Sequence, residues 1–131
     1  MDARQLNSIS GAIVDTSIAI HRELGPGLLE SVYEVVLAKE LERQGYRVRR
    51  QVPIPITFRG LRFDEGFRLD LLVEEVVIVE IKSVQAINPV HKKQLLTYLK
   101  LTKKPLGLLL NFNFDLMKDG ITRIANNVPE V

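Results

Sequence analysis

Glu80 and Lys82 sit two residues apart in the run Val76 to Ser83, which is apolar apart from these two and Ser83. Strand alternation would place Val76, Ile78, Glu80 and Lys82 on one face and Val77, Val79, Ile81 and Ser83 on the other. A carboxylate and an ammonium near the end of so apolar a strand lose water unless they serve each other or a ligand. Asp70, in Phe67-Arg68-Leu69-Asp70-Leu71-Leu72-Val73, is a second acid among apolar neighbours. Its position relative to Glu80 turns on the connection. A three-residue loop at Glu74, Glu75 and Val76 opposes Val73 to Val77 and Asp70 to Glu80. A two-residue loop at Glu74-Glu75 pairs Asp70 with Val79 and sends the two acids to opposite faces. Carboxylates directly across a strand pair repel unless protonated or bridged, so the first register calls for a hard cation such as Mg²⁺ or Mn²⁺. The plainer reading of Glu80 and Lys82 is an ion pair at a strand end.

Glu30 and Glu34 lie on a helix-type stripe. At about 100° per residue, Glu30 falls beside Tyr33, Leu37 and Leu41 and leans toward the core. Its plainer reading is a first-turn acid suited to the helix dipole. Gln94 shares a helix face with Val90, Tyr98 and Leu101. No acidic residue occurs between Glu80 and Asp115, whereas Lys82, Lys92, Lys93, Lys100, Lys103 and Lys104 all do. The segment reads either as a solvated lysine face or as a footprint for a polyanion, helped by Arg47, Arg49, Arg50, Arg59, Arg62 and Arg68.

These residues need a scaffold. Leu6, Ile9, Ile13, Ser17, Ile20 and Leu24 predict a helix over about residues 4 to 24, stopped by Gly25-Pro26-Gly27. Leu29, Val32, Tyr33, Val36, Leu37 and Leu41 predict a second, beginning near Leu28 or Leu29 and ended by Gly45. From Tyr46 the β-type runs read as three antiparallel strands in meander order, with Pro53 and Pro55 marking an edge or a bulge. Asn88-Pro89 is a helix start, with asparagine as N-cap and proline at the first helical position. Gly107 to Phe112 reads as a strand buried on both faces, and Ile121 to Ile124 as one more short strand. The expected class is α/β in the order ααβββαβ, with a final β. Val76 to Ser83 and Gly107 to Phe112 are expected to lie parallel in one mixed sheet.

The 131 residues suit one domain, and 46% hydrophobic against 26% charged residues provide for a real core. With no cysteine and two histidines, thiol chemistry and thiolate zinc sites are excluded, and any metal must be held mainly by oxygen. The net charge of +2 does not by itself indicate nucleic acid. The polar N-terminus and short apolar runs predict neither secretion nor a membrane span, and so a cytoplasmic protein.

Asp70, nine residues, then Glu80-Ile81-Lys82, followed by a helix with Gln94 and an apolar strand, resembles the PD-(D/E)xK nuclease superfamily with its restriction-endonuclease-like core. Gly27-Leu28-Leu29-Glu30-Ser31-Val32-Tyr33 matches the G-x-x-E-x-x-Y signature of the small GxxExxY proteins placed in that superfamily. The likeness runs from about residue 8 to residue 126, with Leu69 where the superfamily's name has proline. It implies metal-dependent phosphodiester hydrolysis. Asp70, Glu80 and the Ile81 carbonyl would hold Mg²⁺ or Mn²⁺, with Glu30 as a direct or water-mediated ligand. Lys82 would position the attacking water, and Gln94 and Tyr98 would orient Lys82 or the substrate, with Lys92 and Lys93 also on the substrate. The implied partner is nucleic acid, DNA ahead of RNA, in repair, defence or turnover. A chain this short leaves room for a homodimer or a partner protein in gripping a duplex. The same fold also serves non-catalytic nucleic-acid-binding and assembly modules. A hydrolase of small phosphorylated molecules is the remotest reading.

Overall fold

The computed structural model describes residues 1–128. Its elements run α1 (Ala3–Leu24), α2 (Glu30–Arg43), β1 (Val48–Phe58), β2 (Leu61–Val73), β3 (Val77–Lys82), α3 (Pro89–Thr102), β4 (Leu106–Asn111), a 3₁₀ turn (Met117–Gly120) and β5 (Ile121–Ala125). This is the expected order with the final strand included. The five strands are ordered β1-β2-β3-β4-β5, with β3 and β4 parallel and every other pair antiparallel. No helix among the described residues is long and apolar enough to cross a membrane.

Two apolar layers follow from alternation along the central strands. Val77, Val79 and Ile81 of β3 and Leu106, Leu108 and Leu110 of β4 pack with Leu6, Ile13, Tyr33, Leu37 and Leu41 of α1 and α2. Ile78 and Leu109, from the opposite face, pack with Leu95 and Leu99 of α3. Helices therefore cover both faces, which is why β4 is buried along its whole length.

Alternation along β1 and β2 changes phase. Leu69 and Leu72 lie in the α3 layer, whereas Leu71 and Val73 lie in the α1–α2 layer. The change falls at Asp70 and, on β1, at Gln51, whose φ of 51° is left-handed. The stripe expected on α1 holds from Leu6 to Ile20, but Leu24 is exposed. On α2 the expected stripe is rotated. The buried residues are Tyr33, Glu34, Leu37, Ala38 and Leu41, Val36 is half-buried, and Leu29 is 74% exposed as the N-cap.

The rotation has a local cause. Tyr33 stacks on Phe112 at 4.3 Å between ring centroids, and its hydroxyl donates to the Gly25 carbonyl while accepting from the Leu28 amide. A wholly buried ring with both hydroxyl roles satisfied sets the helix rotation more strongly than Leu29, which is mostly exposed at the helix start, or Val32, which is only partly covered.

Candidate active site

The connection between β2 and β3 decides how the two acids meet. Val73 pairs with Val77, so the loop is the three-residue one, Glu74 to Val76, with Glu74 and Glu75 both at positive φ. The last ladder pair is Leu71 with Val79, and the next position in that register sets Asp70 opposite Glu80. Side chains take over where the backbone ladder stops. The Ile81 amide donates to Asp70 Oδ2 at 2.8 Å, and the Asp70 amide donates to Glu80 Oε1 at 3.3 Å. Amide and carbonyl of one strand residue point to the same side, so the Ile81 carbonyl is also turned toward Asp70.

Glu80 is only 8% exposed. Burial, and then the neighbouring Asp70 charge, push its pKa up to about 8, against the opposing pull of the Asp70 amide and Lys82. Glu80 is therefore protonated near neutral pH. Lys82 is half-buried and forms no ion pair with Glu80 among the described residues, so the plain strand-end pair is not what this site contains. Two adjacent carboxylates with a backbone carbonyl beside them are a hard oxygen donor set, and a divalent cation in place of the Glu80 proton would relieve their repulsion. The residues fit Mg²⁺ or Mn²⁺.

Glu30 lies elsewhere than expected. It is exposed at the first turn of α2, and Glu30 Oε2 accepts a 3.0 Å hydrogen bond from the Ser83 amide. The Ser83 hydroxyl in turn donates to the Leu28 carbonyl. Glu30 thus ties α2 to the strand end just past Lys82 instead of leaning into the core. Among the described residues, no three His, Asp or Glu side chains gather as a cation site. The buried acid of α2 is Glu34. It is paired with Arg50 at 3.0 Å and accepts from Gln51 Nε2 at 2.7 Å, and the same Gln51 nitrogen reaches Asp70 Oδ1 at 3.4 Å. Gln51 therefore links α2 to Asp70, a role no sequence signal indicates.

On α3, Asn88 precedes Pro89 as expected, and the His91 ring accepts from the Asn88 amide. Gln94 is exposed one turn before Tyr98, and the expected companions Val90 and Leu101 are both exposed as well. Tyr98 stacks on Phe67 with ring centroids 3.9 Å apart. Its pKa is raised by burial and then by the charges of Glu80 and Asp70. Lys92 and Lys93 are exposed on the first turns of the same helix.

The arginine footprint is smaller than the sequence suggests. Arg47 is paired with Glu74, Arg49 with Glu75, Arg50 with Glu34 and Arg62 with Asp64. The β2–β3 turn brings Glu74 and Glu75 to Arg47 and Arg49, α2 brings Glu34 to Arg50, and Arg62 meets Asp64 two residues along β2, which leaves Arg59 and Arg68 without such a partner among the described residues.

A mixed sheet clothed by helices on both faces, with paired acids on its central strands, is a nuclease-type α/β core. A model of the PD-(D/E)XK nuclease superfamily matches residues 7–124, most of the chain, and the protein belongs to that superfamily. The five-stranded sheet and its element order are those of a restriction-endonuclease-like fold. No curated protein and no solved structure matches the chain.

Proposed function

We propose that the protein is a divalent-cation-dependent nuclease that hydrolyses phosphodiester bonds in nucleic acid, DNA ahead of RNA, with residues 1–131 acting as one domain. The observation that carries this reading is the opposition of Asp70 and buried Glu80 at the end of the β2–β3 ladder, with each carboxylate accepting a backbone amide across the strand pair. Asp70, Glu80 and the Ile81 carbonyl would hold Mg²⁺ or Mn²⁺. Bound there, the cation would supply an activated water and neutralise phosphate charge. Lys82, half-buried and without an ion-pair partner among the described residues, would orient the attacking water and stabilise charge developing on the phosphate. Tyr98 and Gln94 flank the pair from α3, and Lys92 and Lys93 offer cations to the adjoining phosphates.

We also assign the chain to the GxxExxY group within the superfamily. Glu30 and Tyr33 of that signature each have a part in holding the α1–α2 turn against the end of β3. Glu30 reaches the site either through water or after releasing Ser83. A non-catalytic binding module is the second reading, favoured by the use of Glu30 and Asp70 as acceptors for the Ser83 and Ile81 amides.

The deciding experiment is cleavage of end-labelled single- and double-stranded DNA and RNA with Mg²⁺, Mn²⁺ or EDTA, beside Glu80→Ala and Lys82→Ala proteins checked for folding. Metal-dependent cutting lost in both variants supports the nuclease. Salt-sensitive binding without cutting on any substrate supports the module.

A further inference from the structure

The β1–β2 hairpin outruns the rest of the sheet. β3 pairs with β2 only at Leu71, Leu72 and Val73, yet β2 begins at Leu61 and pairs with β1 out to Phe58. Alternation along β1 puts Val52, Ile54, Ile56 and Phe58 in one line. Val52 is buried, Ile54 and Ile56 are half-buried, and Phe58 is 60% exposed, so the line runs out from under α3 into solvent. Leu61 and Phe63, opposite Phe58 and Ile56, share that face and are 64% and 43% exposed. Val52 and Ile54 pack in the same layer as Ile78, which shares its face with Glu80 and Lys82, so the apolar tip and the acids lie on one side of the sheet.

The arm is shaped as a separate device. Its register shifts between Ile54 and Ile56, where Gly66 lies so close to Ile54 that a Cβ there would stand 1.9 Å from the Ile54 carbonyl oxygen. The tip turns through Arg59 and Gly60, both at positive φ, and the Arg59 guanidinium lies 5.2 Å from the Phe58 ring centroid with no carboxylate partner among the described residues. Pro53 and Pro55 withhold two amide donors from this edge strand, which disfavours pairing with another chain's strand.

We propose that this arm is a duplex-DNA wedge, with Phe58, Leu61 and Phe63 inserting at a base step and Arg59 reaching phosphate or groove edge while the backbone passes Asp70 and Glu80. The inference rests on the nuclease reading and deepens it. Three features select this occupant over a second copy of the chain. The exposed apolar area is roughly 300 Å², taking about 200 Å² for each large side chain, well below the ~800 Å² per partner of a stable interface. A small apolar tip beside an arginine without a carboxylate partner is the chemistry of side chains that part base steps from the minor groove. The tip also lies nine residues along β2 from Asp70, at most about 30 Å at strand rise because the bulge shortens the path, and so within one helical turn of a duplex bound at the acids.

The test compares the full chain with Phe58→Ser/Leu61→Ser and with Arg59→Ala, all checked by circular dichroism and thermal melting. Binding to a 30-base-pair duplex is read by anisotropy in EDTA, and base unstacking by 2-aminopurine fluorescence. Cleavage of bis(p-nitrophenyl) phosphate with Mn²⁺ reports the acids alone. The expected result is roughly tenfold weaker duplex binding in both variants, a 2-aminopurine rise in the unaltered protein that Phe58→Ser/Leu61→Ser abolishes, and unchanged small-diester cleavage. Equal duplex binding by all three proteins overturns the wedge and leaves the nuclease standing. So does a dimer, seen by light scattering, that Phe58→Ser/Leu61→Ser dissociates. Failure of the unaltered protein both to bind the duplex and to cleave the diester overturns the nuclease reading and the wedge with it.

Discussion

Asp70 and Glu80 stand across from each other one step beyond the last β2–β3 ladder pair, and the Asp70 amide donates to the Glu80 carboxylate at 3.3 Å. The strand pair thus ends in two acids where a further backbone bridge would fit, and what stabilises the local backbone also brings two negative charges together. Four consequences can be measured.

Glu80 holds its proton up to about pH 8 in the fold, against an ordinary carboxylate value near 4.3 in the unfolded chain. The folded protein therefore binds more protons than the unfolded one between these values, so metal-free stability falls as pH rises through that window. Glu80→Gln removes the penalty. In EDTA at pH 8 it should be more stable than the unaltered protein by about 1–3 kcal/mol, with the gap closing toward pH 5 in urea denaturation. Mn²⁺ should narrow the gap at pH 8 and release protons on binding.

Glu30→Gln keeps an oxygen for the Ser83 amide and removes the charge. Thermal stability should stay within about 0.5 kcal/mol, while Mn²⁺ affinity, read by calorimetry, should fall if Glu30 completes the cation site. Unchanged affinity with unchanged stability would confine Glu30 to tying α2 to β3.

Gln51 occupies a left-handed backbone conformation and bridges Glu34 to Asp70. Valine is strained there, so Gln51→Val should cost about 1–3 kcal/mol. Gln51→Gly relieves the backbone and should cost less, despite losing the same hydrogen bonds. Equal losses in chemical denaturation would show that the side-chain bridge matters more than the backbone conformation.

Tyr33→Phe keeps the stack on Phe112 and removes the bonds to Gly25 and Leu28. The expected loss is about 1–3 kcal/mol. Amide exchange should quicken first in the turn at residues 25–29, because the hydroxyl is what secures it.

Much of this protein is legible in residue order. The three-and-four-residue spacing of the α1 stripe from Leu6 to Ile20, the Asn88-Pro89 start of α3 and the apolar Leu106–Asn111 strand each follow from local chemistry, and with the parallel crossover they define the sheet and its helices. Asp70, Glu80, Lys82 and their spacing are equally visible. Sequence leaves open whether the two acids meet, because a strand has a two-residue period and a loop one residue shorter sends them to opposite faces. The left-handed Glu74 and Glu75 settle that register. Tertiary contacts likewise decided the rotation of α2, where the Tyr33 stack outweighs a plausible apolar stripe and trades Glu30 for Glu34 as the buried acid. They also paired three of the six strand arginines, Arg47, Arg49 and Arg50, with acids distant in sequence and brought Gln51 to Asp70. Local pattern determines which elements form and which face each can bury; long-range packing and strand register determine which charges become neighbours, and in this protein that is where the chemistry lies.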